Sequence, residues 1–416
     1  MPTLPFTRFA YVLLVLLSLG LVAALGLLSS KAQEQKIDLE VHEWGTFTSV
    51  AGRAGTALEW RPLTAESDLP SFVYSIDRIS RPAPQQIHPA TSPPQAAPTQ
   101  RSEPRPLRYP SKSATPVSVR METPVLYFYA KEEMTIRVSA DFVNGKITEW
   151  YPQGRTVSGG SIDWGQIRLL PATQIDFPND FRENHYYPAR ETDAAPLQVS
   201  LNGQNEYEKF LFYRGVGNVN LPLWLNLEGD QVRIRNAYGE HVNRVVLFEN
   251  RGGKIGFRIH DIGETELVVN RPALDGKVEV LRQQLKAMLI SQGLYEKEAN
   301  AMLETWRDSW FEEGLRVFYI LPRSTTDEIL PINIEPRPSQ LVRVLVGRTE
   351  LITPETEGCV INELRKLESP SLNVRKAALQ AINKYGRFKE AILKQIFDHT
   401  DDLQLRASIE RLLRES

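Results

Sequence analysis

The 416-residue chain contains one cysteine, Cys359, and six histidines. A single thiol excludes an intramolecular disulfide framework and any multi-cysteine zinc or iron–sulfur site, since each needs at least two thiolates. With no activating histidine evident in the sequence, Cys359 reads as an inert thiol. An excess of one charge is also missing. Setting aside the first 32 residues, with two basic and no acidic side chains, leaves 47 basic against 51 acidic, a net charge of −4. No basic footprint calls for nucleic acid. Gly215-Val216-Gly217-Asn218 lacks the lysine and following helix that would bring backbone amides to a phosphate, so no nucleotide is expected. Ser158-Gly159-Gly160-Ser161 lacks the spacing of a nucleophile elbow and reads as a loop.

Charge is absent altogether between Arg8 and Lys31. The apolar run from Phe9 to Leu28 is 20 residues long. As a helix rising 1.5 Å per residue it covers about 30 Å, the thickness of a bilayer core. The alternatives are a transmembrane anchor and a signal peptide cleaved after Ala32, where Ser30 and Ala32 are the small flanking residues. Both export the remainder, either membrane-anchored or secreted after cleavage, and residues 1–32 form the first segment.

Residues 82–116 hold ten prolines in 35 positions. Proline lacks an amide donor and fixes φ, so this segment reads as a disordered insertion in a body spanning 33–354. Around it, strand patterns dominate. Met134, Ile136, Val138 and Ala140 share one face, as do Ile255, Phe257 and Ile259. Asn144-Gly145 and Gly252-Gly253 are hairpin dipeptides, expected to join Val138–Val143 to Ile147–Tyr151 and Val245–Phe248 to Ile255–Ile259. From 275 to 314 the period turns helical. Leu281, Leu285, Met288 and Leu289 form one stripe and Ala299, Met302, Leu303, Trp306 and Trp310 a second, which together predict a helical hairpin ending near Gly314. Residues 355–416 read as a small helical region resembling paired-helix repeats. The expected fold is α+β, an antiparallel β-sandwich-like body with a packed helical hairpin and a helical C-terminus.

Chemistry-bearing residues are dispersed. His42 and Glu43 sit side by side in the opening strand Val41–Thr48, where neighbours point to opposite faces. The helical two-histidine zinc-peptidase motif fails, because its second histidine falls at Thr46. Catalytic candidates for an acid/base enzyme are His42, Glu43, Glu122, Tyr213 and Arg214. Candidates for a metal site are His42, His185, His241, His260 and Asp261, although no cofactor is evident from spacing. Charges embedded among apolar runs more often form structural ion pairs. The seven tryptophans, including Trp150, Trp164 and Trp224, read as core, with sugar stacking as the alternative.

His42-Glu43-Trp44-Gly45-Thr46-Phe47-Thr48, Met121-Glu122-Thr123-Pro124-Val125, Lys209–Gly215 and Trp306-Arg307-Asp308-Ser309-Trp310-Phe311 running into Arg316–Tyr319 resemble an uncharacterised family of exported bacterial proteins. The resemblance implies one folded unit from 40 to 354, with the helical tail as an addition, and it implies no activity. The expected role is binding or structural support in the envelope, with an envelope protein or glycan as partner. The alternative is a secreted acid/base hydrolase, metal-dependent or not, using His42, Glu43 or Glu122.

Overall fold

The computed structural model describes residues 38–61, 69–76 and 117–415, apart from 183, 238, 240, 263 and 264. The apolar run 9–28 and the proline-rich insertion 82–116 lie outside the described residues. Among the described residues no helix is long and apolar enough to cross a membrane. Leu39–Ser416 forms one compact unit that includes the helical tail.

In chain order the strands are β1 (Leu39–Ala51), β2 (Tyr74–Ser75), β3 (Val119–Ala130), β4 (Met134–Asp141), β5 (Gly145–Tyr151), β6 (Thr156–Ser158), β7 (Ser161–Leu169), β8 (Leu197–Leu201) and β9 (Gln204–Glu208). They continue with β10 (Leu211–Gly217), β11 (Leu223–Glu228), β12 (Gln231–Asn236), β13 (Arg244–Arg251), β14 (Lys254–Asp261), β15 (Glu266–Asn270), β16 (Gly314–Ile320), β17 (Ile332–Glu335) and β18 (Gln340–Leu351). The α-helices are α1 (Val278–Ser291), α2 (Glu296–Thr305), α3 (Arg323–Ile329), α4 (Pro354–Lys366), α5 (Leu372–Asn383), α6 (Lys389–His399) and α7 (Leu403–Glu415).

Nine strands form the central sheet in the order β14-β13-β16-β18-β1-β3-β10-β5-β2. A second sheet contains β17-β4-β7-β8-β9 with β6 paired to β7, and a third contains β11-β12-β15. The central sheet is mixed, which corrects the purely antiparallel expectation: β1 runs parallel to β18, with Glu40 opposite Gln340 and Ala51 opposite Leu351. Both strands are buried along nearly their whole length, as parallel pairing in a sheet covered on both faces requires, and they carry buried polar residues such as His42, Glu43, Arg343 and Arg348 among the apolar ones.

One face of the central sheet carries the helical hairpin. Leu281, Leu285 and Leu289 of α1 and Met302 of α2 pack with Trp44, Tyr127, Phe210 and Val344. Gly293, at φ +105°, ends the hairpin's first helix as its position predicts. The second helix stops at Thr305, before the expected Gly314, and Trp306 and Trp310 follow in a turn where both remain buried. The opposite face packs on the second sheet, with Trp164 of β7 against Tyr213 of β10 at 5.8 Å. Of the seven tryptophans, all but Trp224 are buried, as a core role predicts.

Gly252-Gly253 makes the expected hairpin, both residues at positive φ between the paired β13 and β14. Asn144-Gly145 does not. It carries the chain from β4 in the second sheet to β5 in the central one, so its flanking strands never pair with each other. Asn144 at φ +56° makes the corner, and Phe142 folds back to accept a hydrogen bond from the Gly145 amide at 3.0 Å.

The tail is a short paired-helix array. Leu372-Asn373-Val374-Arg375 opens α5 and Leu403-Gln404-Leu405-Arg406 opens α7. In each, the arginine donates to a carbonyl six residues back: Arg375 to Ser369 at 2.7 Å and Arg406 to Thr400 at 3.3 Å. The two arginines thus anchor the loops before their helices in the same way. Asp402 caps α7 by accepting from the Gln404 and Leu405 amides, whereas no side-chain cap at Asn373 is present.

Candidate functional site

The pleat of β1 separates His42 from Glu43 as the period of two requires. His42 lies on the hairpin face, fully buried, with Nδ1 2.8 Å from Glu298 Oε2. Glu298 stands at the third position of α2, where its carboxylate also accepts from the Tyr295 amide at 2.7 Å and the Tyr129 hydroxyl at 2.9 Å. It therefore caps its helix and ties it to the sheet in one group. Burial, then the Glu298 charge, raises the Tyr129 phenol far above its ordinary range and keeps it a donor. The second ring nitrogen of His42, Nε2, has no hydrogen-bond partner.

Glu43 points into the opposite layer. It pairs with Arg343 at 2.5 Å, its neighbour in register on β18, and accepts from the Tyr213 hydroxyl at 2.5 Å. Arg343 also reaches Asp327 at 2.7 Å and the Leu330 carbonyl at 2.6 Å. Burial, then Glu43, holds the Tyr213 phenol well above its ordinary range. The group is a fully buried, hydrogen-bonded ion pair.

Glu122 owes its position to a bulge. Across β1 and β3, Trp44 faces Val125 and Thr46 faces Glu122, so two residues of β3, Thr123 and Pro124, stand against Gly45 alone. Pro124 is tolerated in a central strand because it occupies the bulge. Thr123 sits at φ +51°, a conformation that costs a β-branched residue on the order of 1–3 kcal/mol. The extra residue turns Glu122 onto the same face as Thr46 and Thr48. There it accepts from the Thr48 hydroxyl at 2.9 Å and pairs with Arg120 at 3.1 Å and Arg387 at 3.2 Å.

Arg387 comes from the 3₁₀ turn Gly386–Phe388 of the helical tail. It also holds Glu312 at 2.8 Å, which Arg348 reaches at 2.6 Å, while Glu350 pairs with Arg316 at 2.8 Å and Arg348 at 2.6 Å. Burial pushes the Glu122 carboxyl up, but Arg120, Arg387, Arg348 and Arg214 outweigh it and hold the group below its ordinary value. Burial likewise opposes ionisation of Glu312, yet Arg348, Arg387 and Arg316 hold it at about 2. Arg316 is drawn down to about 10 by burial, against the pull of Glu350. Arg214 faces Glu149 in register and contributes its field to Glu122, so these two catalytic candidates share one cluster.

The five candidates thus fall into three groups. Glu43 and Tyr213 lie on one face. His42 and the pair Glu122 and Arg214 lie on the other, with His42 separated from Thr46, which faces Glu122 in register, by four residues or roughly 13 Å of extended chain. Sequence reasoning missed Glu298, Glu312, Arg348 and Arg387, and marked Arg343 only as a charge beside an apolar run, without its partner. The signal for them was weak: charged residues embedded in apolar strands or helices, with partners up to 300 residues distant.

The metal candidates do not converge. His185 bonds Asp308 at 3.0 Å, and Asp261 pairs with Arg244 at 3.0 Å. His260 lies on β14 with Nε2 buried and without a hydrogen-bond partner, and burial, then Arg258, lowers its pKa against the pull of Asp261. Among the described residues no group of three or more His, Cys, Asp or Glu side chains is placed to hold a metal ion. His241 and Asp261 instead border an open groove of about 1130 Å³ between the end of β14, α1 and the start of α3.

No family model matches the chain, and no curated protein matches it. Among solved structures it is similar to the Fcho1 Mu homology domain of Danio rerio with bound Eps15 peptide. The identity is 8% over 77% of this chain and 99% of that one, with a TM-score of 0.27. A likeness that distant bears on neither fold nor function.

Proposed function

We propose that the chain is an exported, membrane-anchored, β-rich protein with a binding or envelope-structural role, rather than an acid/base hydrolase acting through His42, Glu43 or Glu122. The observation that carries this reading is that each of these groups is fully buried and engaged by a different set of partners, at no common cavity. A general acid or base must reach a substrate proton directly or through one water. Groups that close an ion pair, cap a helix and fasten a tail instead rigidify the fold.

Anchoring through residues 9–28 places this body at the membrane surface, and the resemblance to exported bacterial proteins belongs to the same reading. The groove beside α1 is where an envelope protein or glycan would lie. Its lining combines the polar Asn243, Arg244, Gln284, Gln292 and Arg323 with the apolar Ile259 and Met288. Neither nucleic acid nor nucleotide is assigned to it.

The test combines fractionation with turnover. The full chain should sediment with membranes and be accessible to protease from the exported side. Wild type and the Glu43→Gln and Glu122→Gln variants should all leave chromogenic ester, peptide and glycoside substrates at the background rate. Turnover by wild type that a folded Glu43→Gln or Glu122→Gln protein lacks would overturn the proposal.

A further inference from the structure

β14 is the end strand of the central sheet, paired with β13 on one side and with no strand on the other. The hairpin fixes which of its backbone groups point outward. Arg251 and Lys254 flank the two-residue turn, and the Ile262 amide donates to the Asn243 carbonyl at 3.3 Å. The pairs that exchange hydrogen bonds across the hairpin are therefore Glu249 with Gly256, Leu247 with Arg258 and Val245 with His260. Ile255, Phe257, Ile259 and Asp261 alternate with these and turn N–H and C=O away from β13. At Ile255 the outward carbonyl is taken, by the Gly276 amide at 2.9 Å. The segment before Gly276 covers the edge only that far, where the Ala273 carbonyl fills the space a Cβ on Gly256 would need. Among the described residues no hydrogen bond reaches the outward groups of Phe257, Ile259 and Asp261. Nor is this edge blunted: β14 has no proline and pairs through eight residues without a bulge.

The side chains around the edge define what fits it. Phe257 and Ile259 project to the face that carries α1 and are half-buried against the core there. Ile259 and Asp261 border the groove beside α1, which lines its other side with Gln284, Met288 and Ser291, one stripe of the helix. Arg258 projects to the opposite face, exposed and forming no ion pair among the described residues. Arg244 and Arg323 add positive charge, against Asp261 and an Asp327 shared with the buried Arg343. Donors and acceptors that recur at every second residue match the repeat of an extended polypeptide, and the excess of positive charge selects an acidic one. We infer that the edge of β14 receives an extended acidic segment of a partner protein as an added antiparallel strand. Its apolar side chains, at alternate positions, lie beside Phe257 and Ile259 at the mouth of the groove, and the carboxylates between them face Arg258. The inference deepens the binding role proposed above and rests on it, choosing a polypeptide over a glycan for the same groove.

The probe is a capped peptide of about ten residues, valine alternating with glutamate, dye-labelled and titrated by fluorescence anisotropy onto the full chain in detergent micelles. Saturable binding is expected, about tenfold tighter than that of the valine–lysine counterpart. Amide exchange at Phe257 and Ile259 should slow in the complex. Arg258→Glu, on a side chain the fold does not use, should reverse the preference between the two peptides. Methylating the valine amides, which point at β14 in an antiparallel strand, should abolish binding, whereas methylating the glutamate amides, which point to solvent, should spare it. Ile259→Pro removes an N–H that has no partner within the fold, so the circular dichroism should persist while binding is lost. Each of the following would overturn the inference: no saturable binding, equal binding of the two methylated peptides, an unchanged preference in Arg258→Glu, or a dimer joined through β14 that the peptide does not displace. The two readings fail separately. Turnover in the assays above would remove the envelope role whatever the peptide does, whereas saturable binding of an N-acetylglucosamine oligomer with no peptide binding would remove only the added strand.

Discussion

Gly45 and Pro124 meet across the centre of the main sheet so closely that a methyl group on Gly45 would stand 3.0 Å from Pro124 Cα and 3.0 Å from Leu345 Cδ1. The two sequence stretches that carry them are therefore halves of one device. The bulge at Thr123-Pro124 needs a residue without a side chain opposite it. Gly45→Ala should destabilise the protein by about 1–3 kcal/mol through overpacking against backbone that cannot yield. Chemical denaturation of the variant beside wild type checks this, and an unchanged midpoint would show that the bulge accommodates a methyl.

The ion pair between Glu43 and Arg343 is closed off from solvent. Removing one partner strands the other, so Glu43→Leu should cost about 3–5 kcal/mol. Replacing both, Glu43→Leu with Arg343→Met, should recover part of that loss, because two apolar side chains leave no buried charge behind. Denaturation of the two single variants and the double variant completes the cycle.

Acid should loosen the attachment of the tail. Glu122 and Glu312 are held below their ordinary values in the folded protein, Glu312 falling from 4.5 to about 2. A depressed carboxyl contributes stability that is fully present above the unfolded value and is lost as pH falls through the folded one. The denaturation midpoint should therefore decline between pH 4.5 and about 2, the interval set by Glu312. Glu312→Gln should flatten that decline while lowering stability at neutral pH.

Arg375 and Arg406 fasten the loops that precede their helices. Arg375→Ala should cost on the order of 1 kcal/mol, the scale of a partly solvated charge-assisted hydrogen bond. Amide exchange should rise in the first turn of α5 and stay unchanged in β1. Equal acceleration in both would mean that the tail and sheet unfold as one.

Local chemistry was readable in the residues. The alternation of β1 separated His42 from Glu43 before any coordinates, and Gly252-Gly253 and Gly293 marked a hairpin and a helix end through their conformational freedom. Long-range geometry was not readable. Glu122 changes face because of one extra residue in β3, and a strict period of two carries no sign of it. Asn144-Gly145 has hairpin composition, yet whether its flanks pair depends on which sheet each joins. Arg387 belongs to a helical turn with no strand pattern, so nothing local connects it to a carboxylate 265 residues earlier.

The parallel register of β1 with β18 sets an order of events. Leu39–Ala51 is the first strand of the body and is buried between β3 and a strand that ends at Leu351. Closing so long a loop must be compensated by contacts that form late, and sheets with such distant pairings fold slowly. Until residue 340 has left the ribosome, the edge of β1 that receives β18 stays unpaired and open to other strands. The centre of the sheet is thus completed by the strand that is made last, and strand mispairing at the open edge of β1 is the hazard that this topology carries.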